Sequence, residues 1–462
     1  EEELFLIEKL SEREVRIQVF GIDAKGNFSQ KPFYSRLFNA DETKEIRVYG
    51  IRGKDHYRVE GNESRINIRI IGGTDSDSVT NASASYKRLR YYDNHDNHVK
   101  GNIKARFSND TLINRYQYDT FRYDERGMVI RPSYSNRRGV YFIVGYKMTH
   151  HSWRKEPFAW KQMLKGYYSF SNKSFGADYE AEFIELIGKW NLLINGNYDQ
   201  VLDNNFPGVG NETKFDQKRS FYKIFTNEAN LTVDLNRKFG RFHTIGIRGA
   251  YDMVKVDDDG TGLALLNGTS HSPEFYDRKH FAGSDIYYDY HQINDAAVPT
   301  KGFRFVVTAA HRKNLNEAKS FSRYSGLLGF YLPITRSISL ASRTGAETVT
   351  GQPEFYQLST LGGGRTLRGY FRQRFYGKTS FYNNNDLRYL FDVRTRLFNG
   401  KMGLIGFFDQ GRLWHPGEDS NQWHWGYGGG VMIAPFNKLS ISAYYGVSKE
   451  LGKFHFRIGR FF

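Results

Sequence analysis

The chain has 462 residues and no cysteine, so neither a disulfide framework nor a thiolate metal site can stabilise it. A mean hydropathy of −0.62 and the absence of any apolar run near the ~20 residues of a spanning helix exclude a helical membrane protein. They do not exclude a transmembrane β-barrel, which hides its apolar surface in alternate residues and suits a chain with 16% aromatic residues. The net charge of +16 calls for an anionic partner, and without any nucleic-acid-binding motif that partner is expected to be lipid headgroups.

Taken in order, the chain opens EEELFLIEKL with no initiating Met and no signal sequence, as expected of a processed chain or a fragment. Residues 1–126 carry short alternating segments, Glu14 to Phe20, Glu45 to Tyr49 and Arg65 to Ile71, separated by Gly, Asn and Asp clusters. This pattern predicts a small all-β region. Within it, IIGGTDSDSV (Ile70 to Val79) resembles one degenerate copy of the Gly/Asp calcium repeat of parallel β-rolls. Asp75 and Asp77 are weak metal candidates on that basis, set against a simple polar turn. His95, Asp96 and His98 lie close together in YYDNHDNH, but without a third ligand pattern a loop is the better reading. No cofactor is expected.

From Gly127 onward the rhythm changes. Val140 to Thr149 places Val140, Phe142, Val144, Tyr146 and Met148 on one face. Asp386 to Phe398 is the clearest strand, with Leu387, Tyr389, Phe391, Val393, Thr395 and Leu397 opposite Asp386, Arg388, Asp392, Arg394 and Arg396. About sixteen strands fit residues 127–462, roughly twenty-one residues per strand with its connection. Tight turns are expected near Ile187, at Asn236 to Gly240, Pro333 to Arg336, Asn399 to Lys401 and Pro435 to Asn437. Long loops are expected at Leu202 to Phe215, Val256 to His280, Thr350 to Asn384 and Gly411 to Gln422. Short turns at one rim and long loops at the other mark an outer-membrane barrel, although the segment His150 to Ala159 reads as a long loop on the short side.

The last residues, KFHFRIGRFF, alternate Phe454, Phe456 and Ile458 with His455, Arg457 and Gly459 and close on Phe462. An open apolar edge there would invite aggregation, so closure into a barrel is the better account. The least strand-like stretch is LGGGRTLRGY (Leu361 to Tyr370), where three glycines precede Arg365, Arg368, Arg372 and Arg374. It has no Lys-Ser/Thr ending, which argues against a phosphate-cradling loop. No credible Ser/His pair for a barrel lipase is found; Ser169 and His150 fail on spacing, and the chain is not expected to be an enzyme.

These features resemble the BamA/TamA superfamily of bacterial outer-membrane barrels, which includes two-partner secretion transporters. The likeness covers Gly127 to Phe462. It rests on LGGGRTLRGY, similar to the family's lid-loop signature, on NNNDLRYL (Asn383 to Leu390), on FFDQGRLW (Phe407 to Trp414) and on the terminal strand. It implies a transmembrane antiparallel barrel over 127–462 with a lid loop at 350–384, behind a small all-β periplasmic or connector region at 1–126. In the lid motif Gly362, Gly363, Gly364, Arg368, Gly369 and Tyr370, it implies that Arg368 docks on Asp409 and Asp386, that Gly369 allows close approach to the wall, and that Tyr370 packs there. Asp409 is the less secure partner, because Met402 to Phe408 does not alternate cleanly. Phe454, Phe456, Ile458 and Phe462 would form the assembly signal. The implied function is insertion or translocation of proteins at the outer membrane, with outer-membrane lipid or lipopolysaccharide and client proteins as partners. The alternative is a static anchor or complex subunit. Residues 1–126 depart from the family's strand-helix-helix-strand-strand periplasmic modules, because they show little helical periodicity.

Overall fold

A computed structural model describes residues 2–23, 25–73, 75–94, 98–108, 113–116, 122–135, 137–257, 273–394, 396 and 399–459. The chain divides into two compact units, Glu1–Arg122 and Tyr123–Phe462. His95, Asp96 and Phe462 lie outside the described residues.

Unit 1 begins with β1 (Glu3–Lys9), β2 (Glu14–Gly21), β3 (Tyr34–Asn39), β4 (Glu45–Tyr49) and β5 (His56–Gly61). It continues with β6 (Asn67–Ile71), β7 (Ser78–Asn81), β8 (Leu89–Asp93), β9 (His98–Lys100) and β10 (Lys104–Phe107). The strands form two sheets, ordered β3-β2-β1-β5-β7-β9 and β10-β8-β6-β4. From β4 onward consecutive strands alternate between the sheets, and neighbours within each sheet are parallel. The chain therefore coils as a two-sheeted roll. Alternation supplies its core: Ile46, Val48, Tyr57, Val59, Ile68, Ile70, Val79, Leu89 and Tyr91 point between the sheets.

The roll uses its aspartates internally. Asp77 Oδ1 accepts from the amide of Asp55 at 2.8 Å and Asp75 Oδ2 from that of Gly53 at 2.9 Å, each one coil of 22 residues earlier. Asp77 Oδ2 takes the amide of Gly73 at 2.9 Å, and Asp55 Oδ1 that of Glu3 at 3.0 Å. Asp75 and Asp77 thus tie one coil to the next. A side chain at Gly50 would strike the Asp55 carboxylate, and one at Gly72 those of Asp77 and Asp93. Glycine at these positions makes room for the carboxylates.

Unit 2 runs through β11 (Glu125–Ser135), β12 (Gly139–Ser152), β13 (Lys155–Ser169), β14 (Ser174–Ile187), β15 (Trp190–Asn205) and β16 (Lys223–Phe239). Then come β17 (His243–Val256), β18 (Lys279–Ile293), β19 (Gly302–Asn314), β20 (Ser320–Pro333) and β21 (Ile338–Gly351). Two short strands, β22 (Ser359–Leu361) and β23 (Phe375–Gly377), pair with each other and precede β24 (Thr379–Arg394). The chain ends with β25 (Asn399–Trp414), β26 (His424–Pro435), β27 (Ile441–Ser448) and β28 (Gly452–Ile458). All but β22 and β23 form one 16-stranded antiparallel sheet in chain order. Its outer face is apolar: Val140, Phe142, Val144 and Tyr146 on β12 are exposed, as are Leu387, Tyr389 and Phe391 on β24. Asp386 and Arg388, which alternate with them, are fully buried on the inner face.

Several connections differ from the sequence reading: Asn236 to Phe239, expected in a turn, pair with β17, and Leu202 to Asn205, expected in a loop, belong to β15. His150 to Ala159 is a tight turn: β12 runs to Ser152, β13 starts at Lys155, and Arg154 takes φ 57°. Polar and aromatic residues at a barrel rim obscured the strand ends there. Asn399 to Lys401, expected as a turn, are strand residues that pair with β24 and β26.

Burial, together with the charge of Asp77, pushes the Asp55 carboxyl up to about 8, and burial also raises Asp77. The folded roll then holds a proton that the unfolded chain releases near pH 4, so its stability falls as pH rises from about 4 to 8. Amide-exchange protection of β5 and β7, corrected for intrinsic rates, should drop between pH 5 and 9. Asp55→Asn should flatten that drop; a profile already flat in the unsubstituted protein would remove the assignment.

Candidate functional site: a lid clamped in the lumen

The connection between β21 and β24 is a lid loop of residues 352–378, shorter than the expected 350–384 because the strands extend into both ends. Its β22–β23 ladder makes a stem, and the tip, residues 362–374, folds inside the barrel. Left-handed glycines shape the tip: Gly362 has φ 121° and Gly363 φ 83°. The Thr366 hydroxyl accepts from the Gly362 amide at 2.9 Å and pins the turn. Leu361, Leu367, Tyr370 and Phe375 pack with Leu413 of β25 into a buried cluster. Apolar anchors set the tip, and charge then fixes it.

Arg368 is almost fully buried. Its Nε donates to Asp409 Oδ2 at 2.7 Å and its Nη2 to Asp409 Oδ1 at 2.5 Å, a bidentate fork. The Arg368 amide also donates to Asp409 Oδ2, at 2.9 Å. Asp386 Oδ1 lies 2.7 Å from the same Nη2. The guanidinium carbon sits 3.8 Å from the centre of the Phe407 ring and 5.4 Å from that of Tyr444, adding cation–π contact in a desolvated place. In the sequence, alternation around Asp409 is blurred between Met402 and Phe408. From Gly403 to Leu413 β25 alternates in burial, with Ile405, Phe407 and Asp409 all inward; the inner face is itself apolar, which hides the period in the sequence.

Gly369 has φ 92°, and a side chain there would come within 2.9 Å of the Val447 backbone. Its amide donates to His455 Nε2 at 3.2 Å, and Ser448 Oγ donates to its carbonyl at 2.8 Å. The wall opposite is also glycine: a Cβ at Gly426 would collide with the Arg368 carbonyl, and one at Gly446 would lie 2.8 Å from the Gly369 amide. Gly426, Gly446 and His455 were not singled out from the sequence, although glycines inside strands GYGGGV and YYGV signal a close backbone approach. Tyr370 packs edge-on to Phe375, with ring centres 5.5 Å apart. Gly364 is exposed.

Other long loops lock over the stem. Gly210 of the β15–β16 loop donates to the Tyr376 carbonyl at 2.7 Å. Asn211 in turn is held through its amide by Glu418 of the β25–β26 loop at 2.6 Å. Arg374 pairs with Glu450 at 2.7 Å, and Arg372 donates to the Asp203 carbonyl at 2.6 Å. Phe454, Phe456 and Ile458 of β28 all face outward and are highly exposed. Ser169 and His150 sit at opposite ends of the β12–β13 hairpin, so they build no hydrolytic pair.

The family model for the Omp85 superfamily domain matches residues 168–462. The chain belongs to the Omp85 superfamily. In fold it is similar to BamA from Haemophilus ducreyi lacking POTRA domains 1-3, with TM-score 0.53 at 13% identity over 73% of this chain and 70% of that one. CdiB from Escherichia coli aligns with TM-score 0.45 at 13% identity over 76% of this chain and 69% of that one. CdiB from Acinetobacter baumannii aligns with TM-score 0.44 at 10% identity, covering 73% of this chain and 59% of that one. No curated protein matches in sequence. This Omp85 chain is therefore an integral outer-membrane β-barrel, and the apolar outer face is its lipid-facing surface.

Deleting one partner of a buried charge pair strands the other, a loss of about 3–5 kcal/mol. Arg368→Ala should free the lid tip, seen as faster proteolysis within residues 352–378, while Arg368→Ala combined with Asp409→Ala should cost less than the sum of the two. Strict additivity would show that the pair is not coupled.

Proposed function

We infer that this Omp85 barrel inserts or translocates proteins at the outer membrane by opening between its first and last barrel strands. One observation carries the reading. Among the described residues no ladder joins β11 to β28, although every other neighbouring pair of the sheet is laddered. Met128, Ile130 and Tyr134 on β11 and Phe454, Phe456 and Ile458 on β28 are exposed on the outer face. A sheet edge with free backbone groups in a membrane is a template for another strand, so this seam suits a client that adds as a β-strand. In this reading the tight-turn rim and residues 1–126 are periplasmic, the long loops are extracellular, and the clamp at Arg368 sets how firmly the lid holds the lumen closed. Residues 454–458 supply the assembly signal, and lipopolysaccharide contacts the basic barrel.

A second reading, an anchor or complex subunit, is favoured by unit 1. Among the described residues it has no helix and forms a parallel roll, unlike the helix-containing modules expected of a barrel-assembly protein. Paired cysteines, one at Met128 or Ile130 and one at Phe454 or Phe456, discriminate the two readings. The chain has no native cysteine to interfere. Locking the seam should abolish activity in cells and reduction should restore it. Full activity with the seam quantitatively cross-linked would leave the anchor reading standing.

A further inference from the structure

The lumen of a wet barrel is lined by polar groups, yet the inner faces of β24 to β27 carry a buried apolar patch of Leu390, Ile405, Phe407, Met432, Ala434 and Tyr444. It is covered from across the barrel. The connection between β18 and β19, residues 294–301, belongs to the tight-turn rim but is longer than the two-residue turns at Trp153–Arg154 and Gly188–Lys189. Ala297 and Val298 in it are 4% and 1% exposed and belong to the same apolar cluster. Three strands, β20, β21 and β24, separate β19 from β25 in the sheet, so the turn reaches its seat only by entering the lumen.

The turn is rigid by its own bonding. Asp295 Oδ1 accepts from the amides of Ala297 and Val298 at 2.7 and 2.9 Å. Asn294 Oδ1 accepts from those of Thr300 and Lys301, both at 3.0 Å. A turn that needs no other partner to hold its shape can leave and return as a unit. The wall holds it through Arg388, whose Nη1 donates to the Pro299 carbonyl at 3.2 Å. Arg388 Nη2 lies 3.4 Å from Asp386 Oδ2, and Asp386 Oδ1 lies 2.7 Å from Arg368 of the lid. One carboxylate therefore stands between the lid entering from one rim and the turn entering from the other.

We propose that residues 294–301 are a plug that seals the tight-turn side of the lumen, and that Arg368, Asp386 and Arg388 couple its seating to that of the lid. Releasing Arg368 takes the lid's guanidinium off Asp386 Oδ1, so the carboxylate draws the Arg388 guanidinium away from Pro299 and loosens the plug. The coupling is independent of whether the seam opens.

Single cysteines in the full chain, reconstituted in liposomes, test it without a client. Ala296→Cys, on the exposed side of the turn, should react quickly with a membrane-impermeant maleimide, and Val298→Cys at least about tenfold more slowly, because only the unseated fraction reacts. Arg388→Ala should bring the rate at Val298→Cys close to that at Ala296→Cys, and Arg368→Ala should raise it severalfold. Barrel integrity is checked by heat-modifiable gel migration. Equal rates at the two positions in the otherwise unsubstituted protein would overturn the plug. Protection at Val298→Cys that Arg368→Ala leaves unchanged would overturn the coupling.

Discussion

A guanidinium shared by two buried carboxylates is the constraint on which the inside of this barrel depends. Arg368 is held by Asp409 through a bidentate fork and by Asp386 at 2.7 Å, out of contact with water. Burying three charges is costly unless each is paired and oriented. The orientation comes from elsewhere: both carboxylates stand on adjacent, fully laddered strands, and the arginine on a loop whose stem is itself a small sheet. The neighbouring glycines follow from the same requirement. A lid backbone pressed against Gly426 and Gly446 leaves no volume for side chains on either surface.

The lumen thus has two chemistries stacked along its axis. Towards the long loops it is polar and aromatic, with Arg372 and Tyr376 tied to the end of β15 and Arg374 to the loop before β28. Towards the tight turns it is apolar, covered by Ala297 and Val298. β25 crosses both regions, with Ile405 and Phe407 in the apolar part and Asp409 at the boundary. The Phe407 ring belongs to both, packing under the Arg368 guanidinium on the way to the apolar cluster.

Unit 1 solves a different problem with the same residue type. Its aspartates accept backbone amides from the preceding coil, which a short carboxylate can reach only where glycine leaves space. Desolvation raises the affinity of Asp55 and Asp77 for protons, and a pair that is partly neutral avoids the repulsion of two buried negative charges. Asp75 and Asp77, in the segment that resembles a calcium repeat in sequence, make these hydrogen bonds.

Strand count, the outward apolar face and the lid motif were legible in the sequence because each is local. Period-two alternation in Asp386 to Phe391 declares which side chains face lipid, and LGGGRTLRGY declares a turn no strand can make. Alternation failed in β25, where apolar residues lie on both faces, because a sequence cannot say what covers an inner wall. That Ala297 and Val298 cover it, that Gly426 and Gly446 receive the lid, and that Asp386 stands between Arg368 and Arg388 were decided by the curling of the sheet and the folding of its loops into it, which bring together residues far apart in the chain. The sequence by itself determined the barrel and its lid; only the tertiary structure decided what fills the lumen, because packing across a barrel leaves no periodic trace in the residues that make it.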